Sequence, residues 1–326
     1  MISTYRGSIE PDALGVTLVH EHIFVRDHEL ERNLTGLEWD EDEAIGRAVR
    51  GLTRLHEQGV RTVVDLTVPG LGRDVRLVLA VAERVPVNLI AATGLYSPDT
   101  LPLHFRARGP DRLVGGPEPL AEMFLRDIEA GIAGTGVRAG MVKVMSGDAG
   151  MTEGVRQVMT AAALAHSRTG VPITTHSEPG LRNGLDQQAW LLDLGVPADR
   201  IVIGHAGDSG DVAYLVRLMD RGSLVGFDRF GMAHAGSDHE RIETLVTLIG
   251  AGYADRIVLS HDAAFYSHVT PPSWRAEHAP DWHMEHLCQS ILPTLRARGV
   301  APEIIDQMLV QNPRRLLTPV HVPVAS

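Results

Sequence analysis

The sequence predicts an α/β fold of the (β/α)8 TIM-barrel type, arranged as a single domain over residues 1–326. Eight short apolar segments rich in valine and isoleucine alternate with amphipathic segments along the chain. Uninterrupted apolar segments indicate parallel strands that are buried on both faces. Eight strand-then-helix units in succession favour a closed barrel over a doubly wound open sheet.

The predicted elements follow one another in a regular order. Strands are predicted at residues 17–22, 62–65, 88–93, 141–145, 172–176, 201–205, 224–227 and 257–260. Amphipathic helices are predicted at residues 43–58, 118–134, 152–169 and 212–221, and Gly59, Gly170 and Gly222 suit helix C-caps. The long connections after the third strand (94 to about 119) and the eighth (262 to about 284) are candidate substrate walls, because loops at these strand ends build the active sites of such barrels.

Composition and charge exclude several classes of partner. The formal net charge of −11, from 41 acidic and 30 basic residues, argues against nucleic acid or an anionic membrane as a partner. Cys288 is the single cysteine, so no internal disulfide forms and a reducing compartment is expected. The chain shows no signal peptide and no stretch near the roughly 18 apolar residues that cross a bilayer. We therefore expect a cytoplasmic protein.

Lys143 is the only lysine of the chain, and the other 29 of its 30 basic residues are arginines. Arginine cannot lose its proton in a protein, whereas lysine can become a neutral, nucleophilic amine. The surviving lysine is therefore expected where arginine would not serve, which predicts a chemical role for Lys143. The alternative, a buried structural cation, has no anionic partner nearby in the sequence.

Histidines stand at the carboxyl ends of several predicted strands. His20 and His22 end the first strand, and being two residues apart they face the same side, whereas Glu21 points the other way and is expected to be structural. His176 ends the fifth strand and His205 the sixth. A single histidine at a strand end is usually a packing residue, but several converging on one barrel mouth predict metal ligands.

The complete predicted site holds two divalent metal ions. A free lysine would repel two cations, whereas capture of carbon dioxide converts Lys143 into a carbamate that can bridge them. The expected ligands are His20, His22 and Asp262 for one ion, His176 and His205 for the other, and N6-carboxylated Lys143 between the two. Zinc is the first choice, and iron, cobalt or manganese would tolerate the same ligands. A hydroxide shared by the two ions is the expected nucleophile.

Five motifs in this order resemble the phosphotriesterase family of the amidohydrolase superfamily. They are TLVHEH at 17–22, Lys143, TH at 175–176, IGHAGD at 203–208 and LSHD at 259–262. The similarity extends from about Arg6 to the NPRR segment at 312–315, nearly the whole chain. The resemblance implies a homodimer.

Two positions distinguish branches of that family. Tyr96 after the third strand and Asp228-Arg229 after the seventh look like the phosphotriesterase-like lactonases, whereas specialised organophosphate hydrolases carry tryptophan and histidine at the positions matching Tyr96 and Arg229. The phenol could orient a lactone carbonyl and the guanidinium could stabilise the opening ring oxygen, although either residue could instead anchor a loop. Pro98, where a second tyrosine is often found, and the connection after the eighth strand depart from those lactonases, which leaves acyl or alkyl specificity open.

We therefore expect a metal-dependent lactonase in which the bridging hydroxide attacks the carbonyl and Asp262 passes a proton to the leaving ring oxygen. N-acyl-homoserine lactones, with a role in quorum quenching, and simple γ- or δ-lactones are the candidate substrates, and weak phosphotriesterase activity is expected beside them. Trp274 and Trp282 could line an apolar acyl pocket, cap the barrel or lie in a dimer interface. The alternative function is organophosphate triester hydrolysis, as by an aryldialkylphosphatase. Other amidohydrolases fit the motif order less well, and a non-catalytic barrel would have lost a ligand position.

Overall fold

A computed structural model describes residues 1–320 and shows the predicted (β/α)8 barrel. All neighbouring strands of its nine-stranded sheet are parallel. The strands are β1 Val16–Val25, β2 Val60–Asp65, β3 Asn88–Gly94, β4 Ala139–Met145, β5 Ile173–His176, β6 Ile201–Gly204, β7 Leu224–Phe227, β8 Ile257–Leu259 and β9 Ala264–Ser267. Strands β1 to β8 match the eight predicted strands, with ends that differ by a few residues.

The barrel closes where the eighth strand changes its partner. β8 pairs with β7, and a few residues later β9 pairs with the outer half of β1. Between them, the Asp262 backbone N–H donates to His20 O at 3.0 Å, and the His20 N–H donates to Ser260 Oγ at 2.9 Å. The crossing at residues 260–263 therefore joins the last strand to the first and fixes Asp262 beside His20.

A β-bulge in β1 sets the direction of the two histidines of the first strand. The register between β1 and β2 shifts by one residue between Leu18 and Glu21. Val19 packs in the inner core below this point, and both His20 and His22 line the cavity above it. One extra residue in a strand reverses the alternation of its side chains, so the bulge allows Val19 and His20 to face the same interior.

Helices surround the sheet. The main helices are Glu41–Glu57, Val75–Ala82, Pro119–Glu129, Glu153–Thr169, Gly184–Asp193, Val212–Asp220, Asp238–Gly250, Pro272–His278, Leu292–Ala297, Pro302–Asp306 and Asn312–Leu317, with short helices at His28–Asn33 and Leu103–Arg106. Gly170 ends its helix with a left-handed φ of 70°, as expected. The helix predicted to reach residue 134 ends instead at Glu129, because Gly131 has a φ of 107° that no α-helix accommodates. No helix within residues 1–320 is long and apolar enough to span a membrane.

Apolar side chains fill the barrel interior at its amino end. Val64, Ile90, Met141, Val202 and Val258 are buried in one inner cluster. The amino-terminal hairpin (Ile2–Thr4 and Gly7–Ile9) and the end of the last helix close this end of the barrel with the apolar residues Ile2, Leu316 and Leu317. The polar interior is thereby confined to the opposite end, where the strands have their carboxyl ends.

Candidate metal centre

The predicted ligands meet at the carboxyl end of the barrel. A cavity of about 280 Å³ lies there, and Tyr96 and Arg229 are in its wall. Five of the six predicted ligands also line it: His20, His22, Lys143, His176 and Asp262. His205, the sixth, lies directly beneath, with its Nε2 2.8 Å from His176 Nδ1. The structure therefore brings together in one site residues that are up to 242 positions apart in the chain (Asp262 minus His20).

The first part of the site contains His20, His22 and Asp262. Asp262 Oδ1 lies 3.1 Å from His22 Nε2 and 3.4 Å from His20 Nε2. These three donor atoms form a group compact enough to surround one cation. Two imidazole nitrogens and a carboxylate oxygen are a ligand set suited to zinc and its transition-metal neighbours.

The second part contains His176 and His205. Besides its close approach to His176, His205 Nε2 lies 3.8 Å from Asp262 Oδ2, so the two parts adjoin through Asp262. His205 has a φ of 63° and Asp262 a φ of 53°, both in the left-handed region. Non-glycine residues adopt this conformation at a cost, and such strained residues concentrate at functional sites.

Lys143 adjoins the first part of the site and also approaches the backbone next to His176, with Nζ 3.5 Å from Thr175 O. Its Nζ is 3.0 Å from His20 Nε2, and only 1% of the residue is exposed. No carboxylate of the described residues 1–320 accepts a hydrogen bond from this amine. Burial lowers the pKa of Lys143 to about 8, although Asp262 and Asp228 oppose the shift. The amine is thus easier to deprotonate than an ordinary lysine.

Asp228, buried at the end of β7, orients two of the histidines. It accepts hydrogen bonds from His20 Nδ1 at 2.7 Å, from His205 Nδ1 at 3.0 Å and from the His205 backbone N–H at 2.9 Å. Asp228 could in principle be counted as a ligand together with these histidines. Because it contacts the Nδ1 atoms, the Nε2 atoms remain directed at the site, which is how a carboxylate supports ligating histidines from outside.

The remaining histidines also have partners on their outer nitrogens. His22 Nδ1 lies 3.0 Å from Thr67 Oγ1, and that hydroxyl donates to Asp65 Oδ1 at 2.6 Å. His176 Nε2 lies 3.2 Å from Glu178 Oε1. Each imidazole therefore has a fixed ring orientation, with the other nitrogen facing the site.

The electrostatics of the site favour neutral imidazoles beside ionised carboxylates. Burial and Lys143 lower the pKa of His20 to about 4, and burial lowers the pKa of His205 well below its ordinary value. Burial alone would raise the pKa of Asp262, but protonation of the facing His20 and His205 imidazoles on acidification opposes this and holds the pKa of Asp262 well below the usual range. A metal ion binds deprotonated ligands, so the nitrogen and oxygen donors are in the state that a divalent cation requires.

Tyr96 and Arg229 face this site from two loops. The Tyr96 ring contacts His176 edge-on, with ring centroids 5.4 Å apart, and burial raises the pKa of its phenol to about 12, so that it stays protonated. Arg229 Nε donates to Asp262 Oδ2 at 3.3 Å, and its Nη1 donates to Asp208 Oδ2 at 3.3 Å. Both residues are therefore within the site as expected, although each also has an anchoring contact.

Several supporting residues were not identified from the sequence. In the sequence, Asp228 is recognisable only as a branch marker, and Glu178, Asp208 and His261 carry no signal of a supporting role. His261 is fully buried, with Nδ1 2.6 Å from Glu21 Oε1 and Nε2 accepting the Leu287 N–H at 2.9 Å. A polar residue directly after a predicted strand is the available signal for Asp228, whereas the other partners depend on tertiary contacts.

The two long connections differ in what they contribute. The connection after β8 supplies Ala264, Ser267, Val269, Thr270, Arg275 and Trp282 to the cavity wall. The connection after β3 supplies Tyr96, whereas its residues Phe105 to Glu118 line a separate cavity of about 530 Å³. The first residues of this connection therefore contribute to the active-site cavity, and the later ones line the separate cavity. Of the two tryptophans, Trp282 lines the active-site cavity, and Trp274 instead stacks on His278 with ring centroids 5.1 Å apart.

A parallel barrel with these histidines, aspartate and lysine at its carboxyl end defines a metal-dependent hydrolase. The sequence model of the phosphotriesterase family matches residues 1–317, so the chain belongs to this family. Members of the family depend on two metal ions.

Named relatives agree with this assignment. The chain is 43% identical over 315 residues to the phosphotriesterase homology protein of Mycobacterium tuberculosis, covering 97% of each chain. It is 36% identical over 315 residues to the aryldialkylphosphatase of Saccharolobus solfataricus, covering 96% of this chain and 98% of that protein. Among solved structures, it matches the phosphotriesterase from Mycobacterium tuberculosis with a TM-score of 0.94 and 43% identity over 98% of both chains.

Proposed function

We propose that the protein is a metal-dependent lactonase with weak phosphotriesterase side activity. The observation that carries this proposal is the contact of Arg229 with Asp262, with Nε 3.3 Å from Oδ2 inside the cavity. Ring opening of a lactone expels an alkoxide, which is a strongly basic leaving group. A fixed cation beside a carboxylate that relays a proton stabilises the departure of an alkoxide. It matters less for a typical aryl phosphotriester, whose leaving phenolate is only weakly basic.

The metal ligands we propose are the six residues predicted from the sequence. His20, His22 and Asp262 would hold one divalent ion, His176 and His205 the other, and carboxylated Lys143 would bridge them. Three observations fit this arrangement: the donor atoms, the neutral imidazoles, and a buried lysine that has no carboxylate partner within residues 1–320. When bound, the two ions lower the pKa of a shared water and polarise the substrate oxygen.

Carboxylation of Lys143 explains why a buried lysine faces a cation site. The neutral amine attacks the carbon of carbon dioxide, so that an N–C bond forms while one C–O π bond breaks and its electron pair moves to oxygen. One N–H proton leaves to water, which gives a carbamate of charge −1. The side chain then supplies two oxygen ligands in place of a positive charge. Zinc is our first choice of metal, and the histidine and carboxylate ligands also accept iron, cobalt or manganese.

The protein's own groups then hold the substrate and move the proton. The Tyr96 phenol, which stays protonated, would donate a hydrogen bond to the lactone. Asp262 remains ionised and can accept the proton of the attacking water before delivering it to the ring oxygen. Arg229 cannot lose its proton, so its part is to orient Asp262 and to stabilise the charge on the departing oxygen.

Organophosphate triester hydrolysis as the main activity is the second candidate. The observation that favours it is the 36% identity to a relative named aryldialkylphosphatase. Both reactions place developing charge on an oxygen that the same metal pair would stabilise, so the site chemistry alone permits both.

The deciding experiment compares kcat/KM for a lactone panel and a phosphotriester with the same metal-loaded preparation. The panel extends from short γ-lactones to long-chain N-acyl-homoserine lactones. A lactone preference of about a hundredfold, equivalent to about 2.7 kcal/mol of transition-state binding, supports the proposal. A preference for the triester contradicts it and shows that Tyr96 and Arg229 do not mark a lactonase. If neither is hydrolysed, the substrate belongs to another class.

A further inference from the structure

One wall of the active-site cavity carries an arginine with no acidic partner. Arg275 lies in the connection after β8, and its guanidinium lies over the Trp282 ring, 4.1 Å from the centroid. Its Nε donates to Thr270 O at 3.1 Å and to Thr270 Oγ1 at 3.0 Å, and its Nη1 donates to Ala264 O at 2.8 Å. Within residues 1–320, no carboxylate is at ion-pair distance from it. The second terminal nitrogen, Nη2, has no hydrogen-bond partner among the same residues.

Two hydroxyl groups of the same cavity wall, on Ser267 and Thr270, also retain unused donors. Ser267 Oγ accepts the backbone N–H groups of Val269 at 3.2 Å and Thr270 at 3.3 Å, and Thr270 Oγ1 accepts from Arg275. Neither hydroxyl hydrogen donates to another group of the described chain. The loop therefore uses the acceptors of these side chains for its own structure and leaves their donors available at the cavity wall.

Arg229, the other arginine of this cavity, differs from Arg275 because it has acidic partners. Arg229 lines the same cavity but contacts both Asp262 and Asp208. Burial lowers the pKa of Arg275 to about 10, with Asp262 and Glu21 opposing the shift, so it is still a cation at neutral pH. A partly buried cation without a counter-ion is costly, and in a binding cavity it indicates that a ligand supplies the missing charge.

We propose that Arg275, Ser267 and Thr270 form a carboxylate subsite, and that the preferred lactone has a carboxylate on its substituent. The inference rests on the proposed lactonase function and narrows its substrate class. A carboxylate oxygen can accept from Arg275 Nη2 while the hydroxyls donate to the same group, and charge-assisted hydrogen bonds of this type are the strong ones. Arg275 is the only cation of the subsite, so a monoanion balances it better than a phosphate dianion.

The test uses three γ-lactones that differ only at the end of the side chain: a carboxylate, its neutral carboxamide and a phosphate ester. In the metal-loaded wild-type protein, we expect kcat/KM for the carboxylate to exceed that for the carboxamide by about tenfold or more, mainly through KM. Arg275→Met should remove this preference, so that the ratio of kcat/KM for the carboxylate to kcat/KM for the carboxamide falls to about one, whatever loss the two substrates share. Arg50→Met, at an exposed position on the helix Glu41–Glu57, makes the same charge change on the outer surface and should keep the preference.

A second variant separates recognition of charge from support of the loop. Arg275→Lys keeps the cation but loses the geometry of the guanidinium, and it should retain part of the carboxylate preference. If the Lys and Met variants lose activity on all three lactones equally, Arg275 only ties the loop together and the proposal is overturned. The proposal is also overturned if the wild-type protein hydrolyses the carboxylate no better than the carboxamide, or if it prefers the phosphate ester.

Failure of the lactonase proposal has a different signature. In that case the wild-type protein hydrolyses none of the lactones but does hydrolyse the phosphotriester. The subsite is then judged by competitive inhibition of triester hydrolysis, with a cyclic ketone bearing the carboxylate side chain compared with its carboxamide. Stronger inhibition by the carboxylate that disappears in Arg275→Met supports the subsite, and equal inhibition rejects it.

Discussion

At the scale of single residues, the candidate centre depends on which atom of each side chain faces which neighbour. His20 is the clearest case. Its Nδ1 contacts Asp228 and its Nε2 lies near Lys143 and Asp262. The same imidazole in the opposite orientation would bury a carboxylate without its donor and turn the ligand nitrogen away from the site. The outer carboxylates therefore define the centre as much as its inner ligands do.

Replacing Lys143 tests the carbamate directly. Lys143→Ala should lose most activity and metal, with partial rescue by short carboxylic acids, because an added carboxylate can take the bridging position. Metal content by elemental analysis and kcat with and without acetate measure both effects. Lys143→Arg is the matched control, since it keeps the charge but cannot be carboxylated, and it should be inactive without rescue. Normal metal content and rate in Lys143→Ala would disprove the carbamate.

Replacing Asp228 tests the orientation of the histidines. Asp228→Asn keeps the shape but replaces one acceptor oxygen with an amide donor facing an imidazole N–H. We expect metal affinity or kcat to fall by about 10–100-fold, measured by metal titration and steady-state kinetics. Asp193→Asn, an exposed carboxylate at the end of the helix Gly184–Asp193, is the control and should change neither. Unchanged metal affinity and rate in Asp228→Asn would remove the orienting role.

At the scale of the elements, the junction of the first and last strands does two things. It closes the barrel, and it places Asp262 next to His20 and His22. Glu21 fills this junction, accepting from His261 N at 3.0 Å and from Ala263 N at 3.0 Å, with His261 Nδ1 also 2.6 Å away. Glu21, which lies between the proposed ligands His20 and His22 in the sequence, thus contacts the segment that carries Asp262, the third proposed ligand.

Glu21→Gln should therefore weaken the barrel at its junction. The buried carboxylate accepts several donors, and the amide replaces one acceptor with a donor directed at backbone N–H groups. We expect the free energy of unfolding to fall by about 2–4 kcal/mol, measured by urea denaturation. Glu10→Gln, at an exposed position, should leave it within about 0.5 kcal/mol. Equal stability of the two variants would show that Glu21 contributes nothing to closure.

At the scale of the whole molecule, stability should depend on pH through buried neutral histidines. His166 lies outside the candidate site in the helix Glu153–Thr169, with its Nδ1 2.9 Å from Val171 O. Burial lowers its pKa, so the folded protein keeps it neutral while the unfolded chain takes up a proton below about 6.5. The contribution of neutral His166 to the free energy of unfolding is complete above about pH 6.5 and is lost as the pH falls below that value.

Comparing wild-type protein with His166→Asn between pH 8 and 5 isolates this contribution. Asparagine retains a donor toward Val171 but does not titrate, so the unfolding free energy of the variant should fall less steeply below about pH 6.5. Other buried histidines titrate in both proteins and cancel in the difference. Parallel curves would show that His166 does not contribute to the pH dependence.

The homodimer implied by the family resemblance remains a prediction. The connection after β3 exposes Leu103, Leu113 and Val114, with 71%, 92% and 59% of each residue accessible. Apolar side chains so exposed in one loop are a natural interface. Light scattering should give twice the 35.4 kDa chain mass, and Leu113→Glu combined with Val114→Glu should shift it toward the monomer. A monomeric wild-type protein would contradict the prediction.

The sequence by itself determined the barrel and the candidate metal ligands. Both depend on local patterns: buried parallel strands are continuously apolar, and a strand end fixes where its next side chain lies. Lys143 was identifiable because it is the only lysine in a chain otherwise supplied with arginine. Only the tertiary structure decided the β-bulge before Glu21, the contacts of Asp228 with two histidines and the position of Arg275 in the cavity wall. These depend on contacts between residues far apart in the chain, whose geometry is set by closure of the barrel and packing of its loops.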